Sequence, residues 1–198
     1  MDFSEAKDYI VERLVTELPK DLYYHGAHHT FDVVKSVHSL SIGEKLSNAD
    51  FFILLTAAYF HDAGYIYKYE RNEPIAVRMA QDVLPKFDYT DEQIKIIENI
   101  ILATESAVQP QTPLERIMCD ADHDYFGRHD YLKISVSLRK EFAVYDKVYS
   151  DIEWLTLQIK YLEEKHQYYT KTAIATRQPM KEAQLVKLKA SLKKLVTA

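Results

Sequence analysis

The stretch FFILLTAAYFHDAG, residues 51–64, decides how this chain folds. Its first ten residues are apolar nearly all round, as in a helix buried on every side. Just before it, SNAD (47–50) places a hydroxyl three residues ahead of an acid, the pattern that opens a helix. Gly64 is expected to stop it. The apolar run is too short to span a bilayer. His61 and Asp62 close it, and an aspartate at the end of the most buried helix is costly unless it is paired or binds a metal. The negative end of the helix dipole offers that anion nothing.

The same punctuation recurs outward from this helix. TDEQ (90–93) and TPLE (112–115) repeat the opening pattern, and Pro113 suits a first helical position. With only four glycines and six prolines, the chain favours long helices over turn-rich sheets. Helices are expected at 3–18, 28–46, 48–62, 73–85, 91–105, 113–126, 129–146, 150–169 and 179–196. No alternating strand pattern interrupts them. The expectation is an all-α bundle of about eight or nine helices. There is no repeat, low-complexity stretch or long linker, so residues 1–198 read as a single domain, with 150–198 as a C-terminal extension.

A net charge of −5 gives no general attraction to a nucleic-acid backbone or an anionic membrane, so neither is expected as a bulk partner. Cys119 is the sole cysteine, which excludes an internal disulfide and suits a reducing compartment. MDFSEAKDYI lacks the basic and apolar regions of a secretion signal, and a cytoplasmic location is expected.

Three helices carry a polar residue on the face that should be buried. In YYHGAHHTFDVV (23–34) three histidines fall within five positions. The stripe Val33, Val37, Leu40, extended backward by four, reaches His29; His28 falls with Asp32, Lys35 and Ser39 on the polar side. In TPLERIMCDADHD (112–124), Leu114, Met118 and Asp122 are in register, whereas Asp120 and Asp124 point elsewhere. The dipeptide HD occurs three times, and only 61–62 ends a buried helix; His123 and His129 lie among charges and read as surface residues. Periodicity therefore nominates His29, His61, Asp62 and Asp122 as inward polar groups. Two imidazoles and two carboxylates suit a hard or borderline divalent ion.

The order H…HD…D, spread over three helices, resembles the HD-domain metal-dependent phosphohydrolase superfamily in its small, stand-alone bacterial type. AAYFHDAGY (57–65) and CDADHDYFGR (119–128) look like its central and final motifs, and the resemblance covers about residues 20–145. It implies an all-α HD-domain bundle. It also implies His29, His61, Asp62 and Asp122 as ligands of a divalent metal ion, whether Mn, Fe, Mg, Ni, Co or Zn. A narrower similarity links YHGAHHTFDVV (24–34) to a segment of cyclic-nucleotide phosphodiesterases, in which a histidine lies four residues before the first ligand. On that match His25 is the general acid that protonates the leaving oxygen. A helical turn would let it reach the same pocket.

Two-metal members carry further histidines between the doublet and the last Asp. This chain has none between His61 and His123, and YERNEP (69–74) shows Asn72 where related chains often show His. A single tightly held metal is expected, with Glu70 or Glu73 able to support a second, weaker ion through water.

The implied reaction is hydrolysis of a small phosphorylated substrate, a nucleotide among the candidates, by a metal-activated water that Asp62 or Asp122 orients. Lys68, Arg71, Thr104 and Arg128 are candidate substrate contacts. Glu105 reads as a helix end in water. Tyr24, Tyr59, Tyr65, Tyr67 and Tyr69 cluster around the motifs, available for stacking on a base or as half-buried core. Cys119 reads as packing. His166, Tyr169 and Arg177 could fold over the site as a lid; the final Lys/Leu stripe reads more simply as an interaction helix or homodimer contact. The alternatives are a catalytically silent ligand sensor, which has no chemical need of the quartet, and a two-iron oxygenase, which would need the missing histidines.

Overall fold

The segment carrying the doublet is a helix, α3 (Asn48–Phe60), whose Leu54, Ala57 and Ala58 have no exposed surface. This is a computed structural model, and it describes residues 1–105 and 108–197. The Ser47 hydroxyl caps α3 by accepting the Asp50 N–H at 3.1 Å. Around it pack α1 (Phe3–Glu17), α2 (Ala27–Glu44) and α5 (Asp91–Leu102), so that its apolar residues meet a neighbour whichever way they point. Each fully buried Leu or Ile there is worth about 1.5–3 kcal/mol, which makes α3 the organising element of the core.

The bundle is completed by α4 (Asn72–Val83), α6 (Pro113–Asp122), α7 (Tyr131–Val144), α8 (Asp151–Lys160) and α9 (Lys171–Val196). No strand occurs among the described residues, and the fold is all-α as expected. Thr90 and Thr112 form the reciprocal capping boxes read from TDEQ and TPLE, and Ser150 forms another. Among the described residues, no helix is long and apolar enough to cross a membrane.

Most helices end a few residues earlier than their periodicity suggests, and the early ends of α3, α6 and α8 shape the site. α3 stops at Phe60 and passes through His61 and Asp62 into a 3-10 turn, Ala63–Ile66. Gly64 does not stop the helix through a left-handed conformation, since no glycine has positive φ. It is needed for close approach: a Cβ there would lie 2.0 Å from the Asn72 carbonyl oxygen, so the turn rests directly on the start of α4. Arg71, at φ 56°, makes the reversal into that helix. α6 ends at Asp122, before a second 3-10 turn, Asp124–Gly127. α8 gives way to a π-helical turn, Tyr161–Lys165.

α9 departs most from expectation. It begins at Lys171, capped by Thr170, and continues through Pro179, where the sequence pattern places its first residue. Pro179 lacks the N–H that would reach the Ala175 carbonyl, a loss that packing of the helix overrides. The start of α9 is tied down by charge. Arg177 Nε donates to Asp124 at 2.6 Å, and the Asp120 carboxylate accepts the backbone N–H groups of Tyr169 and Thr170 at 2.8 and 2.7 Å. Asp120 and Asp124 lie off the α6 stripe as read, yet both are buried, because α9 covers them. The residues considered for a lid are thus docked in place, with His166 also buried.

Candidate metal centre

Contacts among α2, α3 and α6 bring their histidine- and aspartate-bearing ends together. His29 lies in the first turn of α2, His61 caps α3, Asp62 follows it, and Asp122 is the last residue of α6. His29 Nε2 stands 3.0 Å from Asp122 Oδ1 and 3.5 Å from Asp62 Oδ2. His61 Nε2 stands 3.2 Å from Asp62 Oδ2 and 3.7 Å from Asp122 Oδ1. One ligand atom from each of His29, His61 and Asp122 lies within 4.8 Å of the others, and this group can hold a metal ion. Asp62 faces both imidazoles alongside it.

The donor set fits a divalent cation. Around an ion with bonds of about 2.1 Å, neighbouring ligands in octahedral or tetrahedral arrangements stand about 3.0–3.4 Å apart, close to the separations seen. His61 donates from Nδ1 to the Ala58 carbonyl at 2.8 Å, which selects the tautomer whose Nε2 lone pair faces the cluster. His61 Nε2 and Asp62 Oδ2 are both buried and have no hydrogen-bond partner among the described residues, an expensive arrangement for a pair with nothing between them to bind. Burial opposes a charged His61, but the carboxylates of Asp62 and Asp122 outweigh it and hold the imidazolium well above its ordinary range. Burial likewise opposes an ionised Asp122, and the hydrogen bond from His29 together with the nearby His61 imidazole holds it well below the carboxylate range. The cluster is built to surround positive charge.

Beside it, His25 is anchored by a residue the sequence reading missed. Glu141 of α7 has no exposed surface. Its Oε2 accepts the backbone N–H groups of Tyr24 and His25 at 2.7 and 2.9 Å. Its Oε1 pairs with His25 Nδ1 and accepts the Tyr69 hydroxyl at 3.2 Å. Burial works against a charged His25, yet the Glu141 bond and the nearby carboxylates raise its pKa. Glu141 is correspondingly lowered against its own burial, chiefly by His25. The His25 ring stacks on Tyr65 at 4.5 Å. The missed signal was periodic: Tyr131, Ile134, Leu138 and Glu141 share one helical face, so Glu141 ends an inward stripe just as Asp122 does.

A cavity of about 610 Å³ opens over these groups, within the ~300–1,000 Å³ typical of small-molecule sites. Its lining includes His25, Asp62, Asp122, Arg71 and Thr104. Glu70, Glu73 and Glu105 also reach it, so Glu105 is not the plain solvated helix end that was read; α5 stops at Leu102 and leaves the following residues to turn inward. Two expected substrate contacts are not brought to this cavity. Lys68 is exposed beside a smaller hollow. Arg128 is held by Asp32 at 2.7 Å, Asp130 at 2.9 Å and Asp124 at 3.4 Å, a bracing role that leaves no charge to spare. His28 and His129 are exposed, as read. His123 is not a surface residue: it lines the cavity, its Nδ1–H donating to the Cys119 carbonyl at 3.1 Å and its Nε2 accepting from Tyr161 at 3.2 Å. Cys119 itself is buried, its thiol against the Ala103 carbonyl.

Fold and site together define an all-helical protein with a buried imidazole–carboxylate cluster, able to hold an ion, on the wall of a ligand-sized cavity. The HD domain family model matches residues 26–125, and the chain belongs to that family, whose members are generally metal-dependent phosphohydrolases. The matched segment contains His29, His61, Asp62 and Asp122; His25 and Glu141 lie outside it. No curated protein and no solved structure matches the chain.

Proposed function

We propose that the protein is a metal-dependent phosphohydrolase acting on a small phosphoester. The observation that carries this reading is the pair of buried, unpartnered atoms, His61 Nε2 and Asp62 Oδ2. They face one another within the cluster, and Asp62 lines a cavity that also presents His25. His29, His61, Asp62 and Asp122 would hold the ion. A bound divalent ion supplies Lewis-acid polarisation of a phosphoryl oxygen and activation of water at neutral pH.

The chain's own residues do the rest. Asp62 accepts a proton from the attacking water and orients it. His25, kept protonated by Glu141, gives a proton to the leaving oxygen. Arg71 and Thr104, which line the cavity, would hold the phosphate. The test is metal content of the purified protein beside Asp122→Ala, coupled to phosphate release from a broad phosphoester panel. Near one equivalent of metal, lost together with hydrolysis in the variant, supports the reading. Metal without turnover of any ester points instead to a ligand sensor.

A further inference from the structure

The cavity is larger than a phosphate needs, and much of its wall comes from residues beyond the family-matched segment. Tyr131, Ser135 and Phe142 of α7 and Trp154 and Gln158 of α8 all line it. A line of rings leads from the cluster as far as Tyr131. His29 packs on Tyr24 at 4.6 Å, Tyr24 on Tyr125 at 5.6 Å, and Tyr125 on Tyr131 at 6.1 Å with the last two rings nearly parallel. A second ring group lies on the same wall: Phe142 meets Trp154 edge-on at 5.9 Å, and Tyr149 stands 5.8 Å from the same indole.

One polar device is set into this aromatic wall. Trp154 Nε1 donates to Ser135 Oγ at 3.1 Å, which leaves the Ser135 hydrogen free to point onward to Gln158 Oε1. The Tyr131 hydroxyl donates to that same oxygen at 2.8 Å. The Ser135 and Tyr131 hydroxyls therefore converge on the Gln158 carbonyl and fix its amide orientation, with Trp154 holding Ser135 in place. The Gln158 NH₂ is left with a single long contact, 3.5 Å to the Trp154 carbonyl. A glutamine so held on a cavity wall is a donor without a good acceptor.

We infer that Phe142, Trp154 and Gln158 form a binding lobe for a flat, uncharged ring of nucleobase size, with Gln158 Nε2 donating to an acceptor on its edge. That the ring is joined to a phosphate rests on the function proposed above. A sugar or polyol phosphate would need several polar partners for its hydroxyls, whereas the α7–α8 wall offers aromatic faces and one weakly engaged amide donor. Aromatic faces suit bases because every base has a π-face to stack.

Trp154 is the sole tryptophan, so its emission reports on the lobe directly. The full-length protein is titrated with adenosine, guanosine, cytidine and thymidine, which carry no phosphate, and separately with ribose 5-phosphate and inorganic phosphate. The expected result is a saturable change in Trp154 emission with at least one nucleoside and none with ribose 5-phosphate. Gln158→Leu weakens that binding about tenfold. Phe142→Ala, at a half-buried position, also weakens it about tenfold and carries the test if Gln158→Leu does not fold. The inference is overturned if no nucleoside binds, or if a nucleoside binds equally well to the wild type and a folded variant. Hydrolysis of sugar phosphates without nucleoside binding would sink the lobe and spare the proposed function; nucleoside binding without turnover of any ester would do the reverse.

Discussion

Glu141→Gln is the substitution that most directly tests how the site is charged. Glu141 Oε2 receives two backbone N–H groups, which can only donate, so the glutamine oxygen must take that side. The amide nitrogen then faces His25 Nδ1 and the Tyr69 hydroxyl, where Oε1 stood. A protonated His25 would now meet a donor with a donor. The neutral ring can instead turn Nδ1 into an acceptor and carry its proton on Nε2. Losing a charge-assisted hydrogen bond costs about 1.5–3 kcal/mol. At about 1.36 kcal/mol per unit, the His25 titration should fall by about one to two pH units.

The assay is imidazole NMR of the eight histidines, with His25 assigned by His25→Gln. Where turnover is measurable, the alkaline limb of kcat moves down with it. The stability record carries the same sign. His25 is raised and Glu141 lowered in the folded protein. The wild type's advantage over Glu141→Gln is therefore full between the ordinary carboxylate range and the ordinary histidine range. It is lost as pH falls through the lowered Glu141 pKa, and again as pH rises through the raised His25 pKa. A His25 titration that stays in place, or moves up, would refute the pairing.

Other perturbations probe the frame around that pair. Asp122→Ala should lower affinity for a divalent ion by at least about 100-fold while preserving the helical circular dichroism, read by metal analysis after dialysis. Gly64→Ala forces a Cβ to within 2.0 Å of the Asn72 carbonyl oxygen, and backbone cannot yield as a flexible side chain would. A loss of about 3 kcal/mol in urea unfolding is expected, and a neutral result would mean that the turn is not packed on α4. Pro179→Ala restores the N–H that α9 lacks opposite Ala175 and should stabilise by about 1–3 kcal/mol; destabilisation would show that the ring itself packs usefully.

Much of this was legible in the one-dimensional pattern. An uninterrupted apolar run marks a helix buried on all sides, and a hydroxyl three residues ahead of an acid or amide marks where helices begin; both are local effects, decided within a turn or two of the chain. The same logic exposed His29, His61, Asp62 and Asp122, because a polar residue in an apolar register stands out without knowledge of its partners. Only the tertiary structure could show that His61 turns its Nε2 inward, that Arg128 is consumed by three aspartates, or that Asp120 and Asp124 are buried beneath α9. Glu141 reaches His25 across 116 positions of sequence. Local periodicity specifies which face of a helix is covered, but which helix covers it follows from packing the whole set at once. That long-range choice places the carboxylate beside His25.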